Sequence, residues 1–127
     1  MILQGIQIRF DCANGEQFEA IGAFWDAMRA LFPDRALSGV GYGWENDTLC
    51  YLIGMEDGLP AGTETIGQQF PDAEYTVLHL PDDGWKRYTA TADTLDVLYE
   101  EIYRDGPLTY EIERFDADGR AEIRILR

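Results

Sequence analysis

Leu108-Thr109-Tyr110-Glu111-Ile112-Glu113-Arg114-Phe115, then Asp116-Ala117-Asp118-Gly119, then Ala121-Glu122-Ile123-Arg124-Ile125-Leu126: this stretch decides how the chain folds. Two strand-like runs flank an Asp-Gly turn, which is hairpin chemistry. Just upstream, Leu95, Leu98, Tyr99, Ile102 and Tyr103 form one stripe at helical spacing. That helix opens near Thr91 and ends at Gly106-Pro107. Before it, Glu74 to Leu80 reads as a strand. The order is strand–helix–strand–strand.

The same order stands earlier in the chain. Ile2 to Phe10 sets Ile2, Ile6, Ile8 and Phe10 on one face, with Leu3, Gln7 and Arg9 on the other. Asn14-Gly15-Glu16-Gln17 has the form of a capping box, with Asn14 as N-cap. Phe18, Ile21, Trp25, Met28 and Phe32 follow at helical spacing, and Pro33-Asp34 stops that helix. Leu37 to Trp44 and Thr48 to Glu56 then form a hairpin about Glu45-Asn46-Asp47. Gly39, Gly41 and Gly43 leave one face of its first strand bare, so that a helix or a ligand can come close. Residues 57–73 form a long connection, a length that usually crosses between halves or carries function.

These elements predict an α+β fold: an antiparallel sheet with two helices on one face. The module is duplicated, as a pseudo-repeat of 1–56 and 74–127 within one domain spanning 1–127. Two such halves joined edge to edge leave a central cleft between the helices, a common place for a ligand.

Composition narrows the function classes. At 127 residues, 46% hydrophobic and 27% charged, the chain has the profile of one globular domain rather than a disordered segment. Its net charge of -14 argues against nucleic acid and against an anionic membrane surface. No apolar run approaches the roughly 20 residues of a membrane span. The first residues lack the form of a signal peptide. Cys12 and Cys50 are too few for a disulfide framework and read as reduced thiols of a cytoplasmic protein.

The chemistry-bearing residues are carboxylates and rings. Glu113 and Glu111, two apart on a strand, point to one face. A carboxylate among aromatic rings suits holding a lipophilic cation, or acid–base work on an apolar substrate. Repulsion between the pair would raise the pKa of one of them. The candidate rings are Trp44, Tyr42, Tyr51, Tyr75, Trp85, Tyr110 and Phe115, while Trp25 reads as core. His79, the single histidine, reads as structural. Ser38 lacks the glycine context of a nucleophile elbow. Nothing has the spacing of a zinc, calcium or phosphate site, so no cofactor and no metal are expected.

Gly41-Tyr42-Gly43-Trp44, Leu49-Cys50-Tyr51-Leu52-Ile53-Gly54, Tyr75-Thr76-Val77-Leu78, Gly84 and Glu113-Arg114-Phe115-Asp116 resemble, in order and spacing, the GyrI-like small-molecule-binding domain. That family includes the effector-binding domains of AraC- and MerR-type multidrug regulators of bacteria. The resemblance spans nearly the whole chain, most clearly Gly39 to Arg127. It implies two strand–helix–strand–strand modules about a pseudo-twofold, with lipophilic, often cationic compounds bound in the cleft between them. The Glu of the family's Glu-x-Tyr motif falls on Glu113, but its aromatic partner here is Phe115. The Trp-Leu that often closes the second helix is replaced by Ile102-Tyr103. With no DNA-binding segment before Met1, the chain resembles a free-standing member. Such members imply three functions: a multidrug-binding protein, a hydrolase of strained-ring compounds such as cyclopropane-bearing toxins with Glu113 as catalytic residue, or a gyrase-inhibitor-type partner of another protein. A homodimer is also compatible with the resemblance.

Overall fold

The computed structural model describes residues 1–13, 15, 17–58, 65–116 and 118–127. The expected N-cap Asn14, part of the 57–73 connection and Ala117 of the last turn lie outside them. Among the described residues, seven strands and three helices follow in the order β1 (Ile2–Asp11), α1 (Gln17–Leu31), β2 (Ser38–Glu45), β3 (Thr48–Met55), α2 (Ile66–Gln69), β4 (Glu74–His79), β5 (Lys86–Thr91), α3 (Leu95–Arg104), β6 (Tyr110–Phe115) and β7 (Arg120–Leu126). The fold is α+β. The strands form one sheet in the order β4-β1-β3-β2-β6-β7-β5, with every pairing antiparallel.

Two expectations need correction. The segment from Glu74 is a strand, but it pairs with β1 at the sheet's edge. The strand that precedes α3 and pairs with β7 is β5, which the sequence reading passed over. Its half-buried Tyr88 and Ala90 alternate with exposed Arg87, Thr89 and Thr91, a short period-2 signal between two charged turns. The second strand–helix–strand–strand run is therefore β5, α3, β6 and β7, and β4 is an addition to the first. The other correction is a third helix, α2, inside the long connection. Its Ile66 is buried in the core beneath α1.

Antiparallel register shows which side chains share a face. One row crosses the whole sheet: Tyr75, Ile6, Ile53, Gly39, Glu113, Ile123 and Tyr88. The row beside it holds Ile8, Tyr51, Gly41, Glu111 and Ile125. This face carries both long helices. Phe24, Trp25 and Met28 of α1 pack on Ile6, Ile8, Phe10, Tyr51 and Ile53, and Ile102 of α3 packs on Ala121, Ile123 and Ile125. Phe24, absent from the predicted stripe, is fully buried, whereas Phe18 is 72% exposed. Burying one apolar side chain contributes about 1.5–3 kcal/mol, so these two patches anchor the helices.

The opposite face has its own core of Leu3, Val40, Leu52, Leu80 and Ile112. The connection from β4 to β5 covers it. That connection links the two edges of the sheet, which lie about 29 Å apart along a flat seven-stranded sheet. The chain from His79 to Lys86 reaches at most about 25 Å. The sheet therefore curls toward this face, and Leu80 and Trp85 fill the hollow. The amino terminus fastens the crossing: its ammonium donates to the Leu80 carbonyl at 3.2 Å and to Asp82 at 2.7 Å. Among the described residues, no helix is long and apolar enough to cross a membrane.

The bare glycine face is real at two of its three positions. A Cβ at Gly39 would run into the Tyr51 hydroxyl and the Trp25 ring, and one at Gly41 would meet the Trp44 ring at 3.4 Å. Gly43 departs from the row because β2 shifts register between Tyr42 and Glu45, and Gly43 takes a φ of 64°. We expect Gly39→Ala to destabilise the fold by about 1–3 kcal/mol, through overpacking against two buried rings. Urea denaturation would show this as a lowered midpoint at unchanged slope.

Candidate functional site

A cavity of about 450 Å³ lies between α1 and α3, over the middle of the sheet. Its floor is the β2–β6 pair, where Gly39 faces Glu113 and Gly41 faces Glu111. Gly41 leaves open volume on one strand, Gly39 makes room for the Tyr51 and Trp25 rings, and the adjacent strand supplies two carboxyls. Tyr51 and Leu49 extend the floor onto β3. Trp25, Ile21, Gly22 and Gln17 of α1 form one wall, and Leu95, Tyr99 and Tyr103 of α3 the other. Phe18 and Trp44, both exposed, stand at the mouth.

Trp44 owes its place to the irregularity in β2. In a regular strand it would share the face of Val40 and Tyr42, away from the helices. The shifted register after Tyr42 turns it onto the face of Gly41.

The rings hold one another. Trp25 and Phe115 meet edge to face, with centroids 5.4 Å apart. The Arg29 guanidinium lies 4.7 Å from the Trp25 ring and 5.8 Å from that of Phe115, a cation–π contact with each. Tyr99 and Tyr103, one helical turn apart, stack at 6.1 Å.

Hydroxyls meet the carboxyls. Tyr103 donates to Glu111 Oε2 at 2.6 Å. The Trp25 indole N–H donates to the Tyr51 hydroxyl at 3.0 Å, which leaves the Tyr51 O–H free to point at Glu113. The Tyr99 hydroxyl is buried and completes no hydrogen bond of regular geometry, yet lies close enough to Glu113 to favour its charged form. No Lys, Arg or His lines the cavity among the described residues.

Uncompensated burial sets the protonation of the pair. Desolvation raises the pKa of Glu111, against the Tyr103 hydrogen bond that lowers it. Desolvation also raises that of Glu113, helped by the charge of Glu111 and opposed by the Tyr99 and Tyr51 hydroxyls. Such carboxyls titrate as a pair, and burial pushes that titration up from the ordinary carboxylate range toward neutral pH. The same burial holds the Tyr51, Tyr99 and Tyr103 phenols well above their ordinary values, so they remain donors.

Of the residues singled out in the sequence, Glu111, Glu113, Trp44, Tyr51 and Phe115 line this cavity. The other four do not. Tyr42 and Tyr110 share the face of Val40 and Ile112, and they pack in a tilted series with Trp85 behind the sheet. Tyr75 lies on edge strand β4, half exposed, with its hydroxyl donating to Gln4 at 2.8 Å. Strand parity separates Tyr110 from Glu111 and Glu113, and only register places Tyr42 beside Tyr110. Trp25, read as core, is part of the core beneath α1 and also a wall of the site. Tyr99 and Tyr103 were read only as a helical stripe; the clue was that a buried tyrosine needs a partner for its hydroxyl. His79 is exposed on β4, away from the cavity.

No group of three or more His, Cys, Asp or Glu suited to a metal stands together among the described residues. No protein-family model matches the chain, and no curated protein is significantly similar to it.

The carboxyl pair makes stability depend on pH. Both folded-state pKa values lie above the ordinary 4.5, reaching about 8 for Glu113. The folded protein thus binds more protons than the unfolded chain between these limits, and stability falls as pH rises through them. We expect Glu113→Gln to raise Tm by roughly 4 °C or more at about pH 8.5 and by little at about pH 5. Calorimetric scans of both proteins at the two pH values measure this.

Proposed function

We propose that this chain is a small-molecule-binding module of the GyrI-like kind, taking a lipophilic cation in the cavity between α1 and α3. One observation carries the proposal: a buried carboxyl, Glu111, and a half-buried one, Glu113, lie under aromatic walls with no basic side chain lining the same cavity. A cation entering there meets charge in a dry setting, where attraction is stronger than in water. Trp25, Trp44, Tyr51 and Phe115 supply ring contact for its apolar part. The mirrored strand order on either side of the β2–β6 pair supports a duplicated module whose halves meet at the site. Free Cys12 and Cys50 suit the cytoplasm as its place of work.

Binding of a cation draws the carboxyl pair toward its charged form and releases a proton. A lipophilic cation, such as a rhodamine dye or an arylalkyl-ammonium, is expected to quench Trp25 and Trp44 fluorescence saturably. Uncharged analogues of the same shape should bind at least about tenfold more weakly, and Glu113→Gln should remove most of that difference. Equal binding of charged and uncharged analogues, unchanged in Glu113→Gln, rejects the charge role.

A second reading is favoured by the raised titration of the carboxyl pair. A carboxyl pair that titrates near neutral pH can act as acid and base in one site. In hydrolysis of a strained, electrophilic apolar compound, Glu113 in its charged form takes a proton from the attacking water, the water oxygen bonds the electrophilic ring carbon as the strained ring bond breaks, and the protonated partner carboxyl Glu111 gives a proton to the carbon released. Turnover of a cyclopropane-bearing substrate should then fall by about 100-fold or more in Glu113→Ala and persist in His79→Ala. Product formation followed by chromatography decides it, and a wild-type rate in Glu113→Ala removes this reading.

A further inference from the structure

Three buried side-chain polar atoms stand without a hydrogen-bond partner among the described residues: Gln17 Oε1, the Tyr99 hydroxyl and Glu111 Oε1. All three belong to residues lining the cavity between the helices. They come from three different elements, α1, α3 and β6. Elsewhere the described buried polar side chains are matched, as with the Trp25–Tyr51 bond and the Arg114 bond to Ser38. Unmatched buried polar groups are rare in folded proteins and costly to leave unmet, so their convergence on one cavity points to a ligand that meets them.

The chemistry of these atoms states what that ligand carries. Glu111 is 2% exposed, and Tyr103 already occupies its Oε2. The remaining Oε1, when charged, can only accept. Tyr99 can accept or donate, and Gln17 can present either end of its amide. A fully alkylated or arylated onium ion satisfies aromatic walls but gives nothing to Glu111 Oε1. A protonated amine or amidine gives both charge and N–H donors.

On the reading of this cavity as a cation site, we infer that it selects lipophilic cations bearing N–H bonds, protonated amines and amidines, over fully substituted onium ions of the same size. The charged head group lies deep, between Glu111, Glu113 and Tyr99, and the apolar body rests on Trp44 and Phe18 at the mouth. A ligand with no N–H leaves the buried Glu111 Oε1 unmet, and this cost creates the preference.

Stepwise methylation separates hydrogen bonding from size. Binding of 4-phenylbutylammonium and its mono-, di- and trimethyl derivatives to the wild-type protein is measured by titration calorimetry. Bulk grows evenly along the series, whereas the last N–H disappears only at the final step. The expected result is an abrupt loss of at least about tenfold between the dimethyl and trimethyl compounds. Glu111→Gln and Tyr99→Phe should both shrink that step. A trimethyl compound that binds as well as the dimethyl one overturns this inference and leaves the cation reading standing. So does a step that survives undiminished in both folded variants. If no member of the series binds, the cation reading falls together with the inference. The wild-type series gives its answer even where a variant fails to fold.

Discussion

The β2–β6 pairing is the contact on which the rest depends. It is the seam between the two strand–helix–strand–strand runs, and its register sets Gly39 opposite Glu113 and Gly41 opposite Glu111. A slip of one residue would turn both carboxyls to the other face, among Val40, Tyr42 and Leu52. It would also bring Ile112 under the helices and close the cavity. Backbone hydrogen bonds at the seam therefore do two tasks: they make one sheet from two halves, and they create a floor that is open at Gly41 on one strand and acidic on the next.

That floor carries an energetic strain. Two carboxyls leave water with no cation beside them, and their mutual repulsion adds to the desolvation penalty. Tyrosine hydroxyls from β3 and α3 offset part of it, with Trp25 orienting Tyr51. They offset it without neutralising charge. Apolar packing elsewhere, in the patches beneath α1 and α3 and in the hollow behind the sheet, has to hold the fold against this local loss. A site kept acidic and dry at the expense of stability is a common signature of function.

The two faces of the sheet divide the aromatic residues by task. Tyr42, Tyr110 and Trp85 close the hollow beneath the β4–β5 crossing and hold the sheet's curl. Trp25, Trp44, Tyr51 and Phe115 stand on the helix side, around the carboxyls. Composition does not separate these groups, since each has tryptophan and tyrosine. Strand parity separates most of them, and one irregularity in β2 moves Trp44 across.

Local patterning determined much of this protein. Apolar periodicity marked α1, α3 and most strands, the Asp-Gly turn marked the last hairpin, and i, i+2 spacing put Glu111 and Glu113 on one face. These are short-range signals, fixed by the pitch of a helix and the pleat of a strand. β5 escaped notice because its alternation covers only six residues with a weakly apolar face. Strand order, the seating of β4 beside β1, the crossing behind the sheet and the meeting of α1 with α3 over β2 and β6 were decided only by the tertiary structure. So were the roles of Trp25, Tyr99 and Tyr103, whose spacing on a helix looks the same whether the stripe faces solid core or an open cavity. The physical reason is that such features arise from pairing between segments far apart in the chain, and no single segment encodes its distant partner.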